Sequence, residues 1–249
     1  MIKFIVVLMS VLLFVKSSLA AKFPADIPKC KAADLKCLPE IITKVIRMVP
    51  NGHRGLHLLP IDPLHVNEIK ITQERESPVN INLMLSDTDI IGLKNVEVTK
   101  VKGFDKDPTN VVFEAEAKLD QVLLLGRYKI DGRVLILPIQ GNGKSNLTLD
   151  NLTLKIKFKT TQTYKNSKLY IQTKDFLFSF TTTHLHINFE NLFNGDKALS
   201  DNMNMFLNDN WSDILGELKP AINEAFSQIF NTIINTIFSK IAYSDIYQD

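Results

Sequence analysis

The chain has little of what most protein chemistry requires: two cysteines, one tryptophan, five scattered histidines and almost no surplus charge in 249 residues. Two cysteines cannot build a disulfide lattice, so a core must come from apolar burial, for which the length is ample. Cys30 and Cys37, with six residues between them, read most simply as one structural disulfide. A redox pair would stand closer, and half a metal site would need a histidine nearby. Such a short loop contributes ~2 to 2.5 kcal/mol by the chain-entropy argument. It staples the entrance of the chain and not its core.

Charge excess is absent too. Lys and Arg total 29 against 27 Asp and Glu, and removing a leader that holds Lys3 and Lys16 leaves 27 of each. Nucleic acid is excluded as a partner, because binding phosphates needs a basic face. Apolar runs of the ~20 residues that span a bilayer are missing as well. The run from Phe4 to Val15 follows Lys3 and precedes Ser18-Leu19-Ala20, the form of a secretory signal peptide. Residues 1–20 are therefore expected to be a leader and 21–249 a single extracellular domain without stable membrane insertion. Linkers of low complexity are lacking, which favours one domain over two.

Catalytic signatures are equally scarce. A secreted lipid hydrolase is the enzyme to weigh, and the G-x-S-x-G elbow that would mark it does not occur. Gly141-Asn142-Gly143-Lys144 has the glycines of a phosphate loop but joins strands, so it reads as a hairpin turn. His184 and His186 share a strand face and could bind metal, yet they alternate with Leu185 and Ile187 and read as solvated. The expectation is no enzyme, no metal and no cofactor.

What is present is periodicity. Period-two runs pass through Ile69 and Ile71, Val79 to Leu85, Phe113 to Leu119, Leu135 to Ile139, Leu147 to Phe158, Leu169 and Ile171, Phe176 to Phe180, and Leu185 to Phe189. Turns are read at Gly103–Pro108, Asp131-Gly132, Gly141–Gly143 and Lys165–Ser167. A short helix is read over Pro39–Val49. From about Ala198 to Ala242 the apolar spacing becomes three and four, giving an amphipathic helix near ~60 Å long. Pro220 should bend or split it between Gly216 and Pro220. The fold class is α+β: a strongly curved antiparallel sheet wrapped around the C-terminal helix, enclosing an elongated hydrophobic tunnel.

The dry faces are rich in Phe and Ile, which points to an apolar channel and to binding rather than catalysis. The expected lining is Trp211, Ile214, Leu218, Phe226, Phe230, Ile233 and Ile237 from the helix, with Phe113, Phe158, Phe178 and Phe180 from the sheet. Polar selectivity at a tunnel end would fall to Tyr128, Tyr164, Tyr170, Thr181 or Thr183. Leu123-Leu124-Leu125 before Gly126 reads as a buried strand or an apolar tip; the latter would suit a lipid-exchange protein that touches membranes. Asn146, Asn151 and Asn210 fit the N-glycosylation pattern.

These residues also carry a family resemblance. The cysteine pair, GLHLLPIDPLHVNEIKI, IIGLKNVEV, GNGKSNLTLDNLTLKI and NGDKALSDNMNMFLNDNWSDILGELKPAI occur in the order seen in the takeout family of insects. That family is similar to the haemolymph juvenile hormone-binding proteins. The resemblance spans nearly the whole of the chain after the leader. It implies a secreted carrier of the tubular lipid-binding superfamily with the N-terminal disulfide on Cys30 and Cys37; a monomer in haemolymph or sensory lymph is expected. Roles in feeding, circadian rhythm or chemosensation are implied with it. Hormone-binding relatives usually have a second disulfide, for which this chain lacks cysteines. The ligand set implied is therefore broad: juvenile hormone, other terpenoids, fatty acyl chains or quinone-like lipids.

Overall fold

A sheet with one dry face must curl around an apolar partner to bury it. In the computed structural model, which describes residues 23–72 and 78–248, that partner is the C-terminal helix. The expected leader at 1–20 lies outside the described residues. The elements run β1 (Cys30–Lys31), α1 (Cys37–Met48), β2 (Leu64–Thr72), β3 (Val79–Ile91), β4 (Glu97–Lys102), β5 (Phe113–Val134), β6 (Leu137–Lys165), β7 (Lys168–Thr181) and β8 (His184–Phe189). Then follow α2 (Lys197–Asp209), α3 (Trp211–Phe238) and β9 (Tyr247–Gln248).

The β5–β6 hairpin is the spine, paired without interruption of order from Phe113 opposite Phe158 to Val134 opposite Leu137. β3 and β4 share the free edge of β5, β8 and β7 share that of β6, and β2 extends the sheet beyond β3. Bulges at Ser86–Asp89, Val98–Lys100 and Lys157–Lys159 sharpen its twist and help it curl. α3, 28 residues and about 42 Å long by its rise, lies along the concave face against β7, β8, β2 and β3. It thus bridges the two margins of the sheet. β1 pairs in parallel with β9, which ties the N-terminal segment to the C-terminus, and the Cys30–Cys37 disulfide beside it joins β1 to the start of α1.

Two expectations need correction. Asp131-Gly132 and Gly141–Gly143 are not turns but interior positions of β5 and β6; the hairpin turns at Leu135-Ile136 instead. The glycines answer to close packing: a Cβ on Gly143 would stand 2.3 Å from the Glu190 carbonyl oxygen, and one on Gly141 would stand 2.7 Å from the Tyr128 hydroxyl. Leu123–Leu125 is mid-strand with Leu124 buried, in keeping with the buried-strand reading and not with an apolar tip. The helical run does divide in two, but at Asn210 (φ −113°, ψ 20°), and Pro220 stays inside α3. A Cβ on Gly216, whose carbonyl the proline ring approaches, would meet nothing within 4 Å, so the backbone has room to yield there.

Edge strands expose unpaired backbone groups, and on β4, β7 and β8 helices cover them. Asn208 accepts from the Ile187 N–H at 2.8 Å and donates to the Ile187 carbonyl at 2.7 Å; Asn204 does the same with Phe189 at 2.9 Å each way. Each side chain thereby replaces a neighbouring strand along β8. On β7, Asn235 accepts from Thr173 N–H at 2.8 Å and Ser227 from Phe178 N–H at 2.9 Å. Thr43 of α1 accepts from Val98 N–H of β4 at 2.9 Å. Replacing Asn208 by alanine leaves a half-buried donor and acceptor unpaired, so we expect a loss of about 2 to 3 kcal/mol in denaturant unfolding.

At the end where β5 begins, Tyr243 donates to the Asp105 carbonyl at 2.8 Å and Tyr247 donates to the Tyr243 hydroxyl at 2.6 Å. Burial raises both phenols, and raises Tyr128 to about 12. An unfolded tyrosine loses its proton near pH 10 while these keep theirs. Above pH 10 the unfolded state therefore binds fewer protons, and stability, full below that pH, falls as pH rises. Denaturation midpoints at pH 9 and pH 11 should differ in that sense.

Candidate ligand cavity

Inward side chains of the sheet meet the apolar stripe of α3 over the length of the tube, but they do not fill it evenly. Near the start of β5, Phe113 stacks on Phe158 with ring centres 4.9 Å apart and meets Phe104 edge-on at 5.0 Å. Phe176, Phe238, Ile171 and Tyr243 complete this plug. Toward the β5–β6 turn, Tyr128 lies 4.3 Å from Phe189 among Ile81, Ile130, Ile139, Leu192 and Met203, which pack that end.

Between the two lies a cavity of about 100 Å³. Its sheet wall is Ile71 of β2, Leu85 and Ile90 of β3, Val122 and Leu124 of β5, Leu147, Leu149, Leu152 and Leu154 of β6, and Leu185 of β8. Leu215, Ile222, Phe226 and Phe230 close it from α3, and Phe178 and Phe180 from β7. The four phenylalanines form one aromatic wall: Phe178 stands 5.0 Å from Phe230, 5.9 Å from Phe226 and 6.1 Å from Phe180. Every lining residue is aliphatic or aromatic. Water needs two or more polar partners to settle in such a space and finds none.

The structure gathers Phe178, Phe180, Phe226 and Phe230 of the expected lining and places the others elsewhere. Phe113 and Phe158 belong to the plug, because β5 and β6 begin and end their pairing there, beyond the cavity. Ile214 and Leu218 are buried in the main core without lining the cavity, and Ile233 packs partly buried against that core. Ile237 packs on Ile27, Leu56 and Ile241. Trp211 sits at the start of α3 with His184 at 5.3 Å edge-on. The β5 and β6 leucines were missed as lining, although their alternation marks them as inward.

No expected polar candidate reaches the cavity. Tyr128 donates to the Glu190 carbonyl at 2.8 Å, Tyr170 lies under the Lys165 ammonium at 5.4 Å, and Tyr164, Thr181 and Thr183 are exposed. Asn146 and Asn151 are exposed on β6, whereas Asn210 is half-buried and donates to the Phe206 carbonyl at 2.8 Å. Among the described residues, no three His, Cys, Asp or Glu side chains gather as a metal site, and no helix is long and apolar enough to cross a membrane. His184 and His186 are exposed.

A half-barrel curled on a long helix, with an all-carbon cavity between them, defines a carrier class for lipophilic ligands. The sequence profile of the haemolymph juvenile hormone binding protein (JHBP) family matches residues 7–248, and the chain belongs to that family. It is 27% identical over 232 residues to the circadian clock-controlled protein daywake of Drosophila melanogaster, and 25% identical to that of Drosophila yakuba. Each alignment covers 91% of this chain and 88% of the relative. Among solved structures, Takeout 1 of Epiphyas postvittana superposes with a TM-score of 0.75 at 25% identity, covering 89% of this chain and 99% of that one.

Proposed function

We propose that this protein is a soluble extracellular carrier that holds the apolar chain of a small lipophilic molecule in the cavity between Phe178, Phe230 and the β6 leucines. The observation that carries the reading is the all-carbon lining: such a space favours an apolar group and offers nothing to activate a bond. Burial of apolar ligand surface, at ~25 cal/mol per Å², supplies the driving force before the costs of association. Selection in this cavity rests on shape. Residues 1–20 are removed on secretion in this reading, 21–249 act as one domain and as a monomer, and the Cys30–Cys37 disulfide suits the oxidising compartment. No catalysis is assigned to it.

Native mass spectrometry of the secreted protein, followed by organic extraction, tests the reading. A discrete lipophilic adduct of one molecule per chain supports it. A clean apo mass that persists when alcohols, fatty acids, terpenoids and quinones are offered overturns it.

A further inference from the structure

An all-carbon cavity leaves a question for any natural lipid, which has a polar end that must sit outside. The ends of the tube are packed, by the Phe113–Phe158 plug on one side and by Tyr128 and Phe189 on the other. Along the sides, β4, β7 and β8 are fastened to helices through Thr43, Asn235, Ser227, Asn204 and Asn208. β2 is the exception. Among the described residues it pairs with β3 alone, and no hydrogen bond or ion pair joins Leu64–Thr72 to α3. Its outer edge faces α3 across a groove of about 450 Å³.

Consecutive residues face the groove and the cavity. On β2, Lys70 and Thr72 line the groove and Ile71 the cavity; on α3, Ala221 and Ala225 line the groove while Ile222 and Phe226 line the cavity. The wall is thin there, and two alanines one helical turn apart keep it so. The groove is mostly polar where the cavity is not: Glu68, Glu224, Gln228 and Thr232 border it along with Ile69 and Ile229, beside the backbone groups of an unpaired strand edge. Lys70 is held by Glu68 at 2.7 Å, while Glu224 is exposed on the opposite bank. Among the described residues two carboxylates border it with one ammonium, a balance that disfavours an anion.

We propose that the β2–α3 groove is a head-group site, and that the seam beneath it is the way into the cavity. Its occupant is the head of a single-chain amphiphile whose tail lies in the cavity, and that head is neutral and hydrogen-bonding: an alcohol, ester or amide in place of a free carboxylate. The assignment rests on the carrier reading and adds to it the polar subsite, the path and the ligand class.

The experiment compares 1-dodecanol with dodecanoate at neutral pH on the full secreted chain, by displacement of a fluorescent apolar probe. The alcohol should bind at least about tenfold more tightly, since one carboxylate beside another loses ~1.4 kcal/mol or more. Glu224→Lys, a change at an exposed position, should cut that preference to about threefold or reverse it. Ala225→Trp, which thickens the seam, should slow association of the alcohol at least about tenfold in stopped flow. Equal binding of the two ligands by the wild type, or a preference that Glu224→Lys leaves unchanged, overturns the head-group site. An unchanged association rate in folded Ala225→Trp overturns the path. Failure of both ligands to displace the probe instead contradicts the carrier reading itself.

Discussion

Replacing Phe230 by aspartate lowers the affinity for an apolar ligand at least ~100-fold, about 2.7 kcal/mol. Phe230 touches Phe178 and Phe226 in the aromatic wall, with ring centres 5.0 and 6.2 Å away, and the cavity beside it offers no polar partner. A carboxylate placed there either keeps its charge in a medium that cannot solvate it or draws water into the space meant for the ligand. Both displace an apolar tail. Phe230→Leu, similar in polarity and smaller, separates the effects: its affinity should fall much less. Titration of each variant with 1-dodecanol measures this, with circular dichroism to establish that the helix and sheet persist. Aspartate and leucine variants of equal affinity would place the ligand away from Phe230.

Phe113→Ala is expected to do the reverse. The side chain is fully buried between Phe104, Phe158 and Tyr243, so truncation leaves a void in a filled plug and costs about 3 to 5 kcal/mol. Ligand affinity below the unfolding transition should stay within about twofold, because the plug lies outside the cavity. Denaturant unfolding and ligand titration of the same variant decide it. A marked loss of binding with little loss of stability would put Phe113 in the ligand's path.

These two phenylalanines show where the sequence was legible and where it was not. Both sit at inward-facing, apolar positions, and period alone cannot distinguish a residue that lines a void from one that fills it. That difference depends on where β5 and β6 begin and end their pairing, which the misplaced turn obscured. Gly141 and Gly143 resembled a turn because glycine marks turns so often, whereas here they admit Leu192 and Glu190 against the strand. The curled sheet and long helix were legible because alternation changes to a spacing of three and four only once, near residue 198. Asn204, Asn208, Ser227 and Asn235 are polar residues of an amphipathic pattern that in the folded chain face strand edges, and an asparagine looks the same in sequence whether water or a backbone amide satisfies it.

The groove at β2 could not be read in advance for a related reason. Lys70, Ala225 and Gln228 are unremarkable apart, and their proximity comes from α3 crossing both margins of the sheet. The asymmetry, among the described residues, between margins hydrogen-bonded to helices and the β2 margin is a property of the tertiary structure.

The most direct test is anomalous diffraction from a crystal of the protein with ω-bromododecanol, whose heavy atom marks the end of the tail. The account predicts one bromine peak inside the cavity, between Phe178, Phe230 and Leu149, with the chain leading toward β2 and α3. A bromine found on the outer surface or within the Phe113–Phe158 plug would contradict it.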